Sequence, residues 1–363
     1  MKILQQYTAH GNVAFSPTGV AFVLAALYEG SAGRGNKQIA KAMNLPLNRD
    51  ITRIGFRDIH RRLRSYLNAD GFLGGLTLSR ENTKLRSEYE DILRFYGFDL
   101  SNSETSSSTI TMIVLANDQS LQMTSIVTDN ISDTGTTGNE GIWMQNLKIW
   151  KSYGTKSSES STGDTTAEIS FLVNGCDVSS VSASRYIAVL PFAYFPSLHA
   201  VALEFPLDDP RYNIILLMPT DKTDVHHLAR DLNGKSLRLL RKRLQSTWVK
   251  ATIPSFMLRG FVTLTSFLQR LGILDVFDPN TADLSPMTSD LGVYARDIQQ
   301  SIGINIRNYM KPDRTHSRNG LFERAEPVPF TALHPFLYFI IDTETSVSLI
   351  AGRIDDPLNS RIL

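Results

Sequence analysis

A chain of 363 residues with 42% hydrophobic and 20% charged residues has the make-up of a folded globular protein, which excludes a disordered, collagen-like or fibrous one. Thirty-seven Lys and Arg against 36 Asp and Glu leave a net charge of +1, so the chain as a whole does not attract nucleic acid and any polyanion site has to be a local patch. The lone cysteine, Cys176, excludes an internal disulfide framework and any cysteine-based metal cluster. The opening residues, MKILQQYTAH, lack the apolar core of a secretion signal. Residues 17–30, PTGVAFVLAALYEG, predict a helix buried on all sides and stopped by Gly30. A short amphipathic helix follows at 36–44 and is ended by Leu45-Pro46. A third, 51–67, carries Phe56, Ile59, Leu63 and Leu67 on one face, and a fourth spans 84–96. Residues 101–167 are rich in Ser, Thr and Gly and have the texture of a linker, yet contain apolar runs at 110–115 and 143–150. From 168 the texture changes to strands: AEISFLVNG, SRYIAVLPF, HAVALEFPL and YNIILLMP, separated by Pro, Gly and Asp. Helical stretches at 223–233, 235–246 and 263–271 alternate with strands at 247–253, 296–306, 336–342 and 346–353. Early helices followed by long strands predict an α+β protein with large mixed or antiparallel sheets. No apolar run reaches the roughly 18–20 residues that span a bilayer; the richest, 187–205, is broken by Pro191, Pro196 and His199.

Enzyme chemistry finds no foothold. The run from Gly30 to Lys37 resembles a phosphate-binding loop, but Asn36 separates glycine from lysine and Gln38 stands where a hydroxyl is needed, so a helix–helix turn is the better reading. There is no Gly-x-Ser-x-Gly and no His-Glu-x-x-His. The seven histidines are scattered, and the adjacent pair His226-His227 would point to different helix faces, so no metal or cofactor site is expected. Asp208-Asp209 and Asp355-Asp356 lie beside prolines and read as solvated turns. Asn130-Ile131-Ser132 is a formal glycosylation acceptor. Arg53, Arg57, Arg61 and Arg64 recur at spacings of 4, 4 and 3 and make a continuous basic face on one helix. That face is either simply solvated or a surface for a sulfated, heparin-like polysaccharide. A second cluster, Arg238, Arg241, Lys242 and Arg243, reads as solvated.

Several blocks, in order, resemble the serpins, the serine protease inhibitor superfamily. They are GNVAFSPTGVAFVLAALYEGSAGRGNKQIAKAMNLP (11–46), EFP (204–206) with NIILLMPTD (213–221), ATIPSFML (251–258), LQRLGILDVFDPNTADLSPMT (268–288) and HPFLYFIIDTETSVSLIAGRIDDP (334–357). The resemblance implies one domain over 1–363, overriding the two or three that length suggests. It implies three β-sheets with eight or nine helices, an exposed reactive-centre loop at about 307–333, a native stressed conformation, no cofactor and a monomer. It also implies an extracellular protein, the alternative being an intracellular one. In an inhibitory serpin a protease cuts the loop, which then inserts as a new central strand and drags the trapped acyl-enzyme across the molecule.

Insertion buries every second side chain of the loop's first half and needs a backbone N–H at each ladder position. The family therefore uses glycine, alanine and threonine there, and this chain does not. Tyr309 or Met310 stands where the glycine belongs. Lys311, Asp313 and Thr315 share one strand face, Pro312 and Arg314 the other, so either register buries unpaired charge or a proline, at several kcal/mol. Counting back from Phe336 by the family's interval puts the scissile position at Arg324, followed by Ala325. In the region where the sheet opens, Ser16 matches the family's first serine, Gly19 replaces a second, and Asn146 matches the asparagine of a central strand. Tyr153-Gly154 replace a tryptophan there, and Gln299 stands for a histidine. The helix that crosses the sheet is expected near 109–120, with Ile113 in place of an aromatic residue. These departures are those of a non-inhibitory, invertebrate-type serpin acting by binding or as a protease substrate. The alternative is an inhibitor of a trypsin-like serine protease that uses Arg324.

Overall fold

The computed structural model describes residues 2–67, 72–80, 83–98, 109–110, 148–149, 166–173, 176–207, 211–220, 225–232, 236–308 and 326–363. β1 (Val13–Phe15) leads through Ser16 into α1 (Pro17–Gly30). Ser16 caps this helix: its Oγ accepts from Gly19 N at 3.1 Å, and Pro17 occupies the first turn, where a missing N–H costs nothing. Twelve of the helix's 14 residues are buried, as the unbroken apolar run predicts. α2 (Gly33–Met43) starts earlier than expected and ends on Asn44 in the left-handed conformation. α3 (Arg49–Leu67), β2 (Phe72–Leu78) and α4 (Ser87–Tyr96) follow. Gly97 closes α4 with φ +95°, and a Cβ there would lie 2.2 Å from the His60 ring, so only glycine fits.

Next come β3 (Thr109–Ile110), β4 (Lys148–Ile149), β5 (Thr166–Val173), β6 (Asp177–Phe195), β7 (Ala200–Pro206) and β8 (Tyr212–Pro219). Then come α5 (Val225–Asp231), α6 (Leu237–Arg241), β9 (Gln245–Pro254), β10 (Phe256–Thr263), α7 (Thr265–Arg270) and β11 (Ala295–Asn308). β12 (Val328–Thr331), β13 (Phe336–Asp342) and β14 (Ser348–Ile354) finish the chain. Seven α-helices are thus described. The helix expected at 109–120 is corrected at its start: Thr109 and Ile110 pair with Thr77 and Leu76 as a strand, because β2 offers them a ladder.

The strands form two ladders. One runs β10-β11-β2-β3, with β4 added parallel to the end of β11. The other runs β1-β14-β13-β8-β7-β6-β9-β12, with β5 also on β6. Its 19-residue strand β6 serves both halves, pairing β5 over 177–184, β9 over 183–192 and β7 over 192–195. Where three sheets are expected, the described strands form one five-stranded sheet and one continuous nine-stranded sheet. β13 is buried at all seven positions, covered on both faces. α1 touches β14 on one side and β2 on the other, so its apolar surface fills the space between the ladders. Each fully buried Phe, Val or Leu there, such as Phe22, Val23 and Leu27, contributes about 1.5–3 kcal/mol. No helix among the described residues is long and apolar enough to cross a membrane.

Candidate functional site

β11 sets the geometry of the loop that follows it. On one side it pairs with β10 from Phe256↔Ile306 to Thr263↔Gln299. On the other it pairs with β2 from Ala295↔Leu78 to Ile302↔Phe72, and its last residues, Arg307 and Asn308, pair with Lys148 and Ile149 of β4. The chain is picked up again by β12, parallel to β9 from Val328↔Val249 to Thr331↔Thr252 and anchored by the buried ring of Phe330. The loop is therefore strung between the end of one ladder and the edge of the other. Tyr309, Met310, Lys311, Pro312, Asp313, Arg314, Thr315, Arg324 and Ala325 lie outside the described residues, as do Ile113, Asn130, Asn146, Tyr153-Gly154 and Asp208-Asp209.

Ser16 sits where the two ladders meet. Its Oγ donates to Leu349 O at 2.5 Å while accepting from Gly19 N, and its backbone is clamped by Gln300. Gln300 Oε1 accepts from Ser16 N at 2.9 Å and Gln300 Nε2 donates to Ser16 O at 3.0 Å. The expectation for Gln299 is corrected by one residue. Gln299 is exposed and reaches only the hydroxyl of Thr263 at 3.5 Å, whereas Gln300 is 1% exposed. Neighbouring strand residues face opposite sides, so a slip of one in the count exchanges core for solvent. Gly19 is buried and brings no side-chain hydroxyl to the cluster.

The basic face of α3 is free only in part. Arg53 grips the buried carboxylate of Glu29 with two prongs, Nε–Oε1 at 3.1 Å and Nη2–Oε2 at 2.8 Å, and Tyr96 OH donates to the same Oε1 at 3.0 Å. Arg57 pairs with Asp58 at 3.1 Å and lies over the ring of Phe95. Arg61 is exposed, Arg62 is drawn to Asp342 and Glu344, and the side chain of Arg64 is outside the described set. The second basic cluster is also corrected in part: Arg241 is held by Glu204 at 2.8 Å, by Ser346 Oγ and by Thr343 O. The segment from Gly30 to Lys37 holds the helix–helix turn, Ser31-Ala32, and the first residues of α2, with Gly35 packed against Val276.

A cluster that the sequence does not announce lies at the joined ends of the chain. Asp355, expected in a solvated turn, is fully buried. Arg353 Nε stands 3.0 Å from its Oδ1, and Gly11 N donates to its Oδ2 at 2.7 Å. The Arg353 guanidinium also donates to the carbonyls of Tyr7, Ala9 and Gly11 and to His226 Nδ1 at 3.2 Å. Burial first, and then the Arg353 charge, hold the His226 imidazole below its ordinary pKa. His10 meets His226 edge-on, ring centroids 5.4 Å apart. Residues 10, 226 and 355 are too far apart in sequence for any spacing rule to join them.

The family model described as Serpin (serine protease inhibitor) matches residues 1–357. Serpin B8 of Homo sapiens is 26% identical over 371 residues, covering 98% of this chain and 96% of its own. The solved structure of serine protease inhibitor (serpin)-12 of Manduca sexta superposes with a TM-score of 0.69 at 16% identity, covering 99% of this chain and 97% of that one. Native protease nexin-1 with heparin superposes with a TM-score of 0.67 at 19% identity, covering 96% and 93%. At such identities the two structures speak for the fold.

Proposed function

Since the chain belongs to the serpin family, we propose that it works by binding partners through its surface and meets proteases as a substrate, without inhibiting by loop insertion. The observation that carries this reading is the sequence after β11. A strand laid beside β11 from that segment would have to part β11 from β2 and β4. It would then bury Lys311 and Asp313, or Pro312 and Arg314, in the middle of the sheet. Each unpaired charge costs several kcal/mol and the proline removes a ladder donor. Trypsin and related proteases should cut within the loop at about 307–333, at Arg324, and yield two fragments without a covalent complex. A denaturant-resistant band at the summed mass of protein and protease would overturn the reading.

That same band would favour the second reading, a suicide inhibitor of a trypsin-like protease. The feature behind it is Arg324 followed by Ala325, since an arginine side chain suits a specificity pocket that carries a carboxylate. A heparin-like chain is the polyanion to test. Its surface would be Arg57 and Arg61, because Arg53 is committed to Glu29.

A further inference from the structure

We propose that His10, His226 and Asp355 bind a single divalent transition-metal ion of the zinc type, tying the N-terminal segment to α5 and to the chain just beyond β14. One donor atom from each of the three lies within 4.8 Å of the others. Ligand atoms around a tetrahedral zinc, with bonds of about 2.0–2.1 Å, are roughly 3.3 Å apart. Closing the set therefore asks for separations to shrink by up to about 1.5 Å, and the exposed His10 side chain is free to rotate toward the other two. The carboxylate is already aimed. Gly11, at φ +134°, turns the chain so that its N–H holds Oδ2, and Asn12 Oδ1 accepts from Asp355 N at 2.8 Å. Such outer hydrogen bonds fix a ligand's orientation. Two imidazoles and one carboxylate select zinc, cobalt or nickel over magnesium or calcium, which prefer oxygen. With three protein ligands and His10 at the surface, a fourth position stays open to water.

Arg353 is the obstacle, and the structure shows how it yields. Its contact to His226 Nδ1 is 3.2 Å, while the same Nη1 donates to Tyr7 O at 2.9 Å and Nη2 holds Ala9 O and Gly11 O. The guanidinium can release the imidazole and remain anchored. An ionised carboxylate has about four lone-pair sites, so Asp355 can keep Arg353 and Gly11 while taking the metal. The neighbouring positive charge weakens binding relative to a closed structural zinc site.

The test is titration of the untagged full-length chain with Co²⁺, read by the visible bands of tetrahedral cobalt and by metal content after dialysis. One ion per chain is expected, with a rise in melting temperature. His10→Ala and His226→Ala should each weaken binding at least about ten-fold and abolish the rise, and His227→Ala should change neither. His10 is exposed, so its variant decides the matter even if His226→Ala fails to fold. No cobalt uptake by the wild-type chain, or uptake by His10→Ala equal to wild type, overturns the proposal.

Discussion

Replacing Arg53 by alanine tests whether the basic face of α3 is structural or a binding surface. Glu29 is buried, with 0% of its side chain accessible, and its partners are the Arg53 fork, the Tyr96 hydroxyl and a distant Arg49 at 4.0 Å. Removing one partner of a buried pair costs about 3–5 kcal/mol when the stranded charge has nothing else. Here Arg53 keeps 31% of its side chain in solvent and Tyr96 still donates, so water and one hydrogen bond soften the loss. About 2–3 kcal/mol remains. Arg53→Lys keeps the charge and loses the fork, for about half of that. The assay is guanidinium unfolding followed by tryptophan fluorescence, with Arg53→Ala, Glu29→Gln and the double variant forming a cycle. The double variant should be less destabilised than the sum of the singles, because a neutral amide in place of the Glu29 carboxylate strands no charge. An Arg53→Ala variant within about 0.5 kcal/mol of wild type would refute the reasoning. On a heparin column the same logic separates the arginines. Arg57→Ser with Arg61→Ser should abolish retention at little cost in stability. Arg53→Ser should move the elution little and the unfolding midpoint much. Wild type should elute below about 0.15 M salt, where exposed charges are screened over roughly 8 Å.

Gln300→Ala should cost about 1–3 kcal/mol, because it leaves the buried N–H of Ser16 unpaired, while the Ser16 C=O keeps the Val20 N–H. Gln299→Ala should lie within about 0.5 kcal/mol of wild type, and equal effects of the two would refute the register. Cleavage of the loop by trypsin should leave the melting temperature within a few degrees of the intact protein; a rise of tens of degrees would mean that the cut loop has entered the sheet. For Asp342, burial works to raise the pKa. The Thr345 hydroxyl and N–H and the Arg62 guanidinium outweigh it and hold the carboxyl below its ordinary value near 3.8. A folded pKa below the unfolded one means that this stabilisation is present above about pH 4 and is lost as pH falls through the folded value. Asp342→Asn should therefore show a shallower loss of stability between about pH 4.5 and 2.5 than wild type, in pH-dependent unfolding.

α1 was legible because the apolar run from Val20 to Leu27 leaves few alternatives, and β13 because FLYFIID is apolar at nearly every position. β2 was hidden by Gly74 and Gly75, which break the alternation a strand would show. Their backbones are held as strand by Gln300 and Gln299 of β11, a partner more than 200 residues away. β12 was hidden by its proline, Pro329, which an edge strand tolerates. The helix expected over 235–246 is limited to Leu237–Arg241, and from Gln245 the chain pairs with β6 as β9. The partners of Arg53 and Arg241 come from distant segments, as does the Gly11 N–H that holds Asp355, and local pattern carries no trace of them. The resemblance that put Gln299 at the Ser16 cluster missed by one residue, which in a strand is the difference between two faces.

Among the described residues β1 stands at the end of its ladder with β14 as its only strand partner, Val13 facing Arg353 across 340 residues. Translation at roughly 5–20 residues per second separates the emergence of these two strands by about 17–70 s. Throughout that interval the apolar helix that follows β1 has half of its surroundings missing, and the ribosome-bound chain is a natural client for holdase chaperones. Reading frames that stop short of Ser348 deprive the first strand of its mate, so nonsense lesions at the far end of the message disable the beginning of the protein.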